Sequence, residues 1–245
     1  FRRVLFRSGL LSALLARRGF TGPEHPLEGP FGFLRVMGEQ PNPRCLTDRL
    51  GEDWEIRHNS YKPYPCGVVL NPVIEACLAL SRKLESIPHW AHEIQRIELR
   101  GHPLLRQRTD RPEVTSGRSA QVCAQHATAV SLIRGRAGLP EFSDEAVQDP
   151  HIRELGKRLR FVDDESYAID MTTVSLHFDQ RDAMSMHIEH ARGSVHHPMS
   201  DAELEAKFHA LSNSQINATQ ANQIIQRVWN FEELDSTSNL LDLIR

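Results

Sequence analysis

Between Ser60 and Gly67 the chain reads Ser60-Tyr61-Lys62-Pro63-Tyr64-Pro65-Cys66-Gly67 and then turns apolar. Proline fixes its own φ and drives the residue before it towards extended backbone. Lys62 and Tyr64 each precede a proline, so this stretch cannot be helical. It is expected as a stiff, extended loop that holds one ammonium and two phenols in fixed directions. A surface loop has little use for such stiffness. A pocket that must set a positive charge against a carboxylate does.

The hydrophobic pattern on either side sets the fold class. Leu10, Leu11, Leu14 and Leu15 have helical spacing within Gly9–Arg18, and Gly19 follows. A glycine-rich bend through Leu27–Phe33 leads to a short helix, and Ile56 to Tyr61 reads as extended. A helix starts at Pro72, with Asn71 as its expected cap, an apolar stripe through Ile74, Cys77, Leu78 and Leu84, and Pro88 beyond its end. Ile94, Ile97 and Leu99 read as a strand closed by Gly101. Val122 to Ile133 reads as a helix, and Asp149-Pro150 opens another that reaches about Leu159. The period then drops to two: Val174, Leu176 and Phe178, then Met184, Met186 and Ile188, predict an antiparallel hairpin with one buried face. Ser200-Asp201-Ala202-Glu203 is a capping-box start to a helix through Leu211. Ala218–Val228 and Ser238–Ile244 are also helical. The chain is thus expected to be α+β, with a partial all-helical domain flanking a smaller α/β domain that contains antiparallel strands. The expected divisions are 1–58, the end of an N-terminal helical domain; 59–197, the smaller α/β domain; and 198–245, helices returning to the helical domain.

Composition narrows the function. The net charge of −3 offers no basic field for nucleic acid. The apolar run Gly9–Ala16 is too short to span a bilayer. Cys45, Cys66, Cys77 and Cys123 form no CxxC pair, which argues against a zinc ribbon or a disulfide framework, so a cytoplasmic setting is expected. His196 and His197 are adjacent, and His187 and His190 are three apart in a predicted strand. Neither spacing suits a metal, and no cofactor is expected. The segment from Phe1 to Ser8 lacks an initiator methionine, and Val4 to Ser8 resembles a translated sequencing adapter. It is set aside from fold reasoning, and the chain is expected to be a fragment.

Four strings in order resemble the MmgE/PrpD family, the 2-methylcitrate dehydratase-like proteins that also include cis-aconitate decarboxylase. They are Gly19-Phe20-Thr21-Gly22-Pro23 with Leu27-Glu28-Gly29 and Gly32-Phe33; Tyr61-Lys62-Pro63-Tyr64-Pro65-Cys66; Ala124-Gln125-His126-Ala127 with Ala129-Val130; and Arg192-Gly193 with His197-Pro198-Met199-Ser200-Asp201 and Lys207-Phe208. The resemblance implies a large helical domain, most of it N-terminal to this chain, and a smaller α/β domain. It also implies a homodimer when full length and an active site between the domains. The implied activity is a lyase on small tricarboxylic acids: elimination of water from 2-methylcitrate in propionate metabolism, or a related decarboxylation or epimerisation. No metal is needed where side chains neutralise the substrate.

The residues fall into two groups under this reading. Lys62 and His126 are the catalytic candidates: a lysine in a stiff loop favours charge that develops on a carboxylate, and a histidine exchanges a proton. Tyr64, Asn71 and Arg192 are candidate substrate ligands for a small polycarboxylate. Asn71 departs from the family pattern, in which many members carry a histidine, and an asparagine cannot move a proton near neutral pH. Each has a plainer alternative: a solvated lysine, a packed tyrosine, a helix-capping asparagine, a core histidine and a solvated arginine. Cys66 reads as a small buried residue, not a nucleophile. The competing function is a non-catalytic or truncated homologue with a structural role in assembly.

Overall fold

The leucine stripe of the N-terminal segment belongs to a longer helix than its spacing marks. In the computed structural model, which describes residues 2–244, helix α1 spans Arg2–Arg17 and so runs through the residues set aside as a leader. Phe1 and Arg245 lie outside the described residues. The chain divides into two compact units, Phe1–His58 and Asn59–Arg245.

In the first unit, α1 is followed by the short helix α2 (Phe33–Met37) and by 3-10 turns at Pro43–Leu46 and Glu55–His58. The stretch from Ile56, expected to be extended, is instead a 3-10 turn over Glu55–His58 that leads into loop. Among the described residues, Ile56 and its neighbours have no partner strand. Their backbone is satisfied locally, with Arg57 N donating to Trp54 O at 2.9 Å.

The second unit mixes helices with a four-stranded sheet. In chain order it contains α3 (Asn71–Leu84), α4 (Trp90–Glu93), β1 (Ile94–Gly101), α5 (Pro103–Thr109), α6 (Gly117–Ala120), α7 (Ala124–Arg134), α8 (Asp144–Gln148) and α9 (Pro150–Gly156). Strands β2 (Leu159–Asp163), β3 (Thr172–Phe178) and β4 (Met184–Ile188) follow, then α10 (Asp201–Ser212), α11 (Ala218–Trp229) and α12 (Ser238–Leu241). The strand order is β2-β1-β3-β4. β2 runs parallel to β1, with Ile97 opposite Leu159, while β3 is antiparallel to both β1 and β4. The mixed sheet makes the unit α+β.

Alternation explains the sheet's buried face. Ile97 and Leu99 of β1 and Val174 and Leu176 of β3 are buried, and they form one core with Ile74, Cys77, Leu80 and Leu84 of α3. Each such side chain contributes roughly 1.5–3 kcal/mol on leaving water. Helix α3 covers β3 and β4, α7 packs against α3, and α9 packs against α7. Gly135, with φ of +62°, takes the left-handed cap of α7.

Three expectations change here. Helix α9 ends at Gly156 and Leu159 opens β2, where a single helix was expected to reach Leu159. A five-residue strand paired on one side carries too little alternation to stand out from a helix end. Helix α3 is capped by Leu70, not by Asn71, which sits inside its first turn. The last helix ends at Leu241 and continues as a 3-10 turn over Asp242–Ile244. Among the described residues, no helix is long and apolar enough to cross a membrane.

Candidate functional site

The lysine loop is anchored at both ends by backbone hydrogen bonds. Tyr61 N donates to Gly193 O at 2.8 Å, and Gly67 N donates to Gln121 O at 2.8 Å in the turn before α7. The prolines between these anchors cannot donate. The loop therefore relies on its ends, and on Lys207 of α10, whose Nζ donates to the Lys62 carbonyl.

Lys62 itself is exposed. Its Nζ turns back along the loop and donates to Cys66 O at 3.3 Å. Among the described residues it has no carboxylate partner. Behind it lie neutral groups. The Cys66 thiol donates to Asn71 Oδ1 at 3.5 Å, and both residues are buried. Burial pushes the Cys66 thiol up to about 12, although the Lys62 charge pulls it down, so it stays protonated near neutral pH. This fits a small buried residue and not a nucleophile. With its oxygen on the thiol, Asn71 keeps its amide nitrogen as a donor. Tyr64 is half-buried against the core. Burial, with the Glu75 carboxylate nearby, pushes its phenol well above the ordinary range, so it too is a neutral hydrogen-bonding group.

Arg192 has a different fate. Its guanidinium meets Glu203 of α10 bidentately, Nε to Oε1 at 3.0 Å and Nη2 to Oε2. Its backbone N–H donates to Glu75 Oε2 at 2.7 Å. Glu203 also accepts from Ser200 N at 2.8 Å, closing the capping box of α10. The Arg192 guanidinium, followed by the Ser200 donors, holds the Glu203 carboxyl down at about 2. The bidentate pairing that suits an arginine to a carboxylate is thus already made within the protein.

His126 is buried on α7, and its Nε2 lies 2.7 Å from Glu141 O. A carbonyl only accepts, so Nε2 carries the proton and Nδ1 is the basic nitrogen of a neutral ring. Burial pulls the imidazole below its ordinary value, only partly offset by that hydrogen bond. A cleft of about 470 Å³ opens beside it, lined also by Glu113, Thr115, Gln125, Arg153 and Lys157. None of Lys62, Tyr64, Asn71 or Arg192 lines this cleft. The structure thus gathers Lys62, Tyr64, Cys66 and Asn71 in one place and sets His126 in another.

Three charged residues that matter here were not singled out as site candidates: Glu75, Glu203 and Lys207. Glu203 was legible as the third helical residue of the capping box. Glu75 and Lys207 reach their partners across more than a hundred residues of sequence, and no local pattern encodes that. Two of the histidine contacts lie near the loop: His190 stacks on His196 at 4.4 Å, and His197 lies 3.5 Å from Glu75. Among the described residues, no group of three or more His, Cys, Asp or Glu side chains is placed to hold a metal ion.

The MmgE/PrpD C-terminal domain family matches residues 64–231. The chain is 24% identical to the cis-aconitate decarboxylase-like protein oryM of Aspergillus oryzae, over 97% of this chain and 52% of that protein. It is 24% identical to the cis-aconitate decarboxylase of Homo sapiens, over 98% of this chain and 51% of that protein. For the cis-aconitate decarboxylase of Aspergillus terreus the figures are 22%, 97% and 52%. The chain spans about half the length of the curated relatives it matches.

Proposed function

The chain belongs to the MmgE/PrpD family, and from that premise we propose that the complete protein is a lyase acting on small tricarboxylic acids. The observation that carries this reading is Lys62: an ammonium on an anchored, proline-stiffened loop, with no carboxylate to neutralise it among the described residues. Such a cation binds a substrate carboxylate and stabilises the charge that builds on it as the adjacent carbon becomes carbanion-like. Tyr64 and the Asn71 amide supply neutral donors behind it. Neither moves a proton near neutral pH, so proton transfer falls to other groups. His126, neutral and with Nδ1 basic, is this chain's candidate for that role, in its own cleft.

Two reactions fit this state, and they differ in what leaves. The names of the relatives favour loss of carbon dioxide from a cis-aconitate-like acid. The Tyr61–Cys66 motif equally fits the elimination of water from 2-methylcitrate. Neither reaction needs a metal in this proposal, because cationic side chains hold the carboxylates. Residues 1–58 and 198–245 are proposed to belong to a helical domain, 59–197 to a smaller α/β domain, and the complete protein is proposed to be a cytoplasmic homodimer.

The test is turnover of the complete protein, dialysed against a chelator, with cis-aconitate and with 2-methylcitrate. Carbon dioxide release and loss of the substrate hydroxyl are followed separately. Activity on either acid supports the lyase. No turnover of any small polycarboxylate by a folded, complete protein refutes it and leaves a structural role in assembly.

A further inference from the structure

The lysine loop is gripped most closely around Lys62, and by residues that have no place in the chemistry. Gly193 sits at φ of +84°, and a Cβ there would lie 2.0 Å from Tyr61 O. The two backbones are therefore in direct contact, and Gly193 O accepts from Tyr61 N at 2.8 Å. The next carbonyl along the loop, that of Lys62, accepts from Lys207 Nζ. Lys207 and Glu203 lie one turn apart on α10, and Glu203 holds Arg192, the residue before Gly193. Gly193 N in turn donates to His197 O at 2.7 Å, closing the turn on itself.

We propose that Lys207 and Gly193 are positioning residues for Lys62. Helix α10 holds the loop twice: directly, through the Lys207 ammonium on the Lys62 carbonyl, and indirectly, through Glu203, Arg192 and the Gly193 turn against Tyr61. A loop with two prolines has few backbone donors of its own, so its direction is set from outside. A bond to the carbonyl of Lys62 fixes the peptide from which its side chain departs. That is the placement an anchoring cation needs. The role in catalysis rests on the lyase reading; the positioning itself does not.

Three variants test it. Lys207→Met keeps the length of the side chain and removes the donor, while Lys207→Arg keeps a donor. Amide hydrogen exchange of the 59–67 segment is measured in the folded chain, alongside the melting temperature. The Met variant is expected to exchange about tenfold faster at Tyr61 and Cys66 with protection elsewhere unchanged, and the Arg variant to restore most of it. In the complete protein, kcat on the accepted acid should fall more than KM rises in the Met variant, with Arg rescuing. Gly193→Ala should raise exchange in the same segment, because the loop must move away from the new methyl. If Lys207→Met leaves exchange at 59–67 unchanged, or raises it evenly across the whole chain, the positioning proposal is wrong. Faster exchange confined to the loop, in a protein inactive on every polycarboxylate, upholds the positioning and refutes the lyase instead.

Discussion

Replacing Lys62 by methionine should separate stability from activity. The side chain is exposed, and its ammonium makes one hydrogen bond, to Cys66 O at 3.3 Å. An exposed charge-assisted contact of that length is worth no more than about 1 kcal/mol. In a domain of this size that corresponds to a fall in Tm of about 2–4 °C. Losing a cation that meets charge developing in a transition state costs far more, about 10²–10³ in kcat. Methionine keeps the length and the apolar stem, so the loop is not emptied. The Cys66 thiol, which the Lys62 charge pulls down only against a larger effect of burial, stays protonated in the variant and adds no reactivity of its own. Calorimetry of the variant and initial rates of the complete protein on the accepted acid measure the two effects side by side. A rate within about twofold of the parent removes Lys62 from the chemistry. A fall in Tm beyond about 10 °C makes it a structural lysine and refutes the estimate from its exposure.

Iodoacetamide at pH 8 should label Cys45, which is exposed, and spare Cys66, Cys77 and Cys123, which are buried with thiols pushed up; peptide mapping of the native protein reads this directly. His126 is held below its ordinary value by burial, so the unfolded chain binds its proton first as pH falls. Its share of the stability is complete above about pH 6.5 and declines as pH drops through the folded value. Urea titrations from pH 8 to pH 5 should show that decline, and His126→Gln should flatten it. Arg136→Met strips the guanidinium from Glu141, whose side chain is only 1% exposed, and should cost about 1–3 kcal/mol in a urea titration. That lies under the usual figure for a fully buried pair because Arg136 itself faces water.

The parts of the fold that announced themselves did so through period. Val174, Leu176 and Phe178 alternate over enough residues to mark β3, and the mirrored run at Met184–Ile188 supplies its partner. Ser200 and Glu203 mark the start of α10 because both halves of the capping box are local. β2 stayed hidden because it is short and draws its order from pairing with β1, about sixty residues upstream. Asn71 misled for a related reason. A capping residue and a residue of the first turn have the same neighbours in sequence; here Leu70 takes the cap, and the Asn71 side chain accepts from the Cys66 thiol instead. The lysine loop was legible as rigid, since proline stiffness is a property of the chain itself. What it leans on was not, because Gly193, Gln121 and Lys207 reach it from elements distant in sequence.

Lys62 and Arg192 show how two cations near one loop divide their work. From sequence they were alike, both positive and both offered to a carboxylate. Arg192 stands next to a helix start whose third residue is a glutamate, and a carboxylate fixed by Ser200 presents two oxygens in the plane a guanidinium matches. Its charge is neutralised before any ligand arrives, and its value becomes mechanical: it ties α10 to the Gly193 turn. Lys62 is a point charge on a flexible stem, and it makes no ion pair among the described residues. The carboxylate beside Tyr64 of the same loop, Glu75, accepts from the Arg192 backbone N–H at 2.7 Å and lies beside His197. Removing the arginine should therefore do more than loosen the turn. With Arg192→Met, Glu203 loses its guanidinium, the Gly193 turn loses its tie to α10, and the Tyr61–Lys62 backbone packed on that turn is held less firmly. The expected result is weaker binding of a polycarboxylate, with the Arg192 guanidinium already paired to Glu203 within the protein. If Arg192→Met instead leaves the KM of the complete protein unchanged while lowering its Tm, the arginine serves folding alone, and the placement of Lys62 does not depend on it.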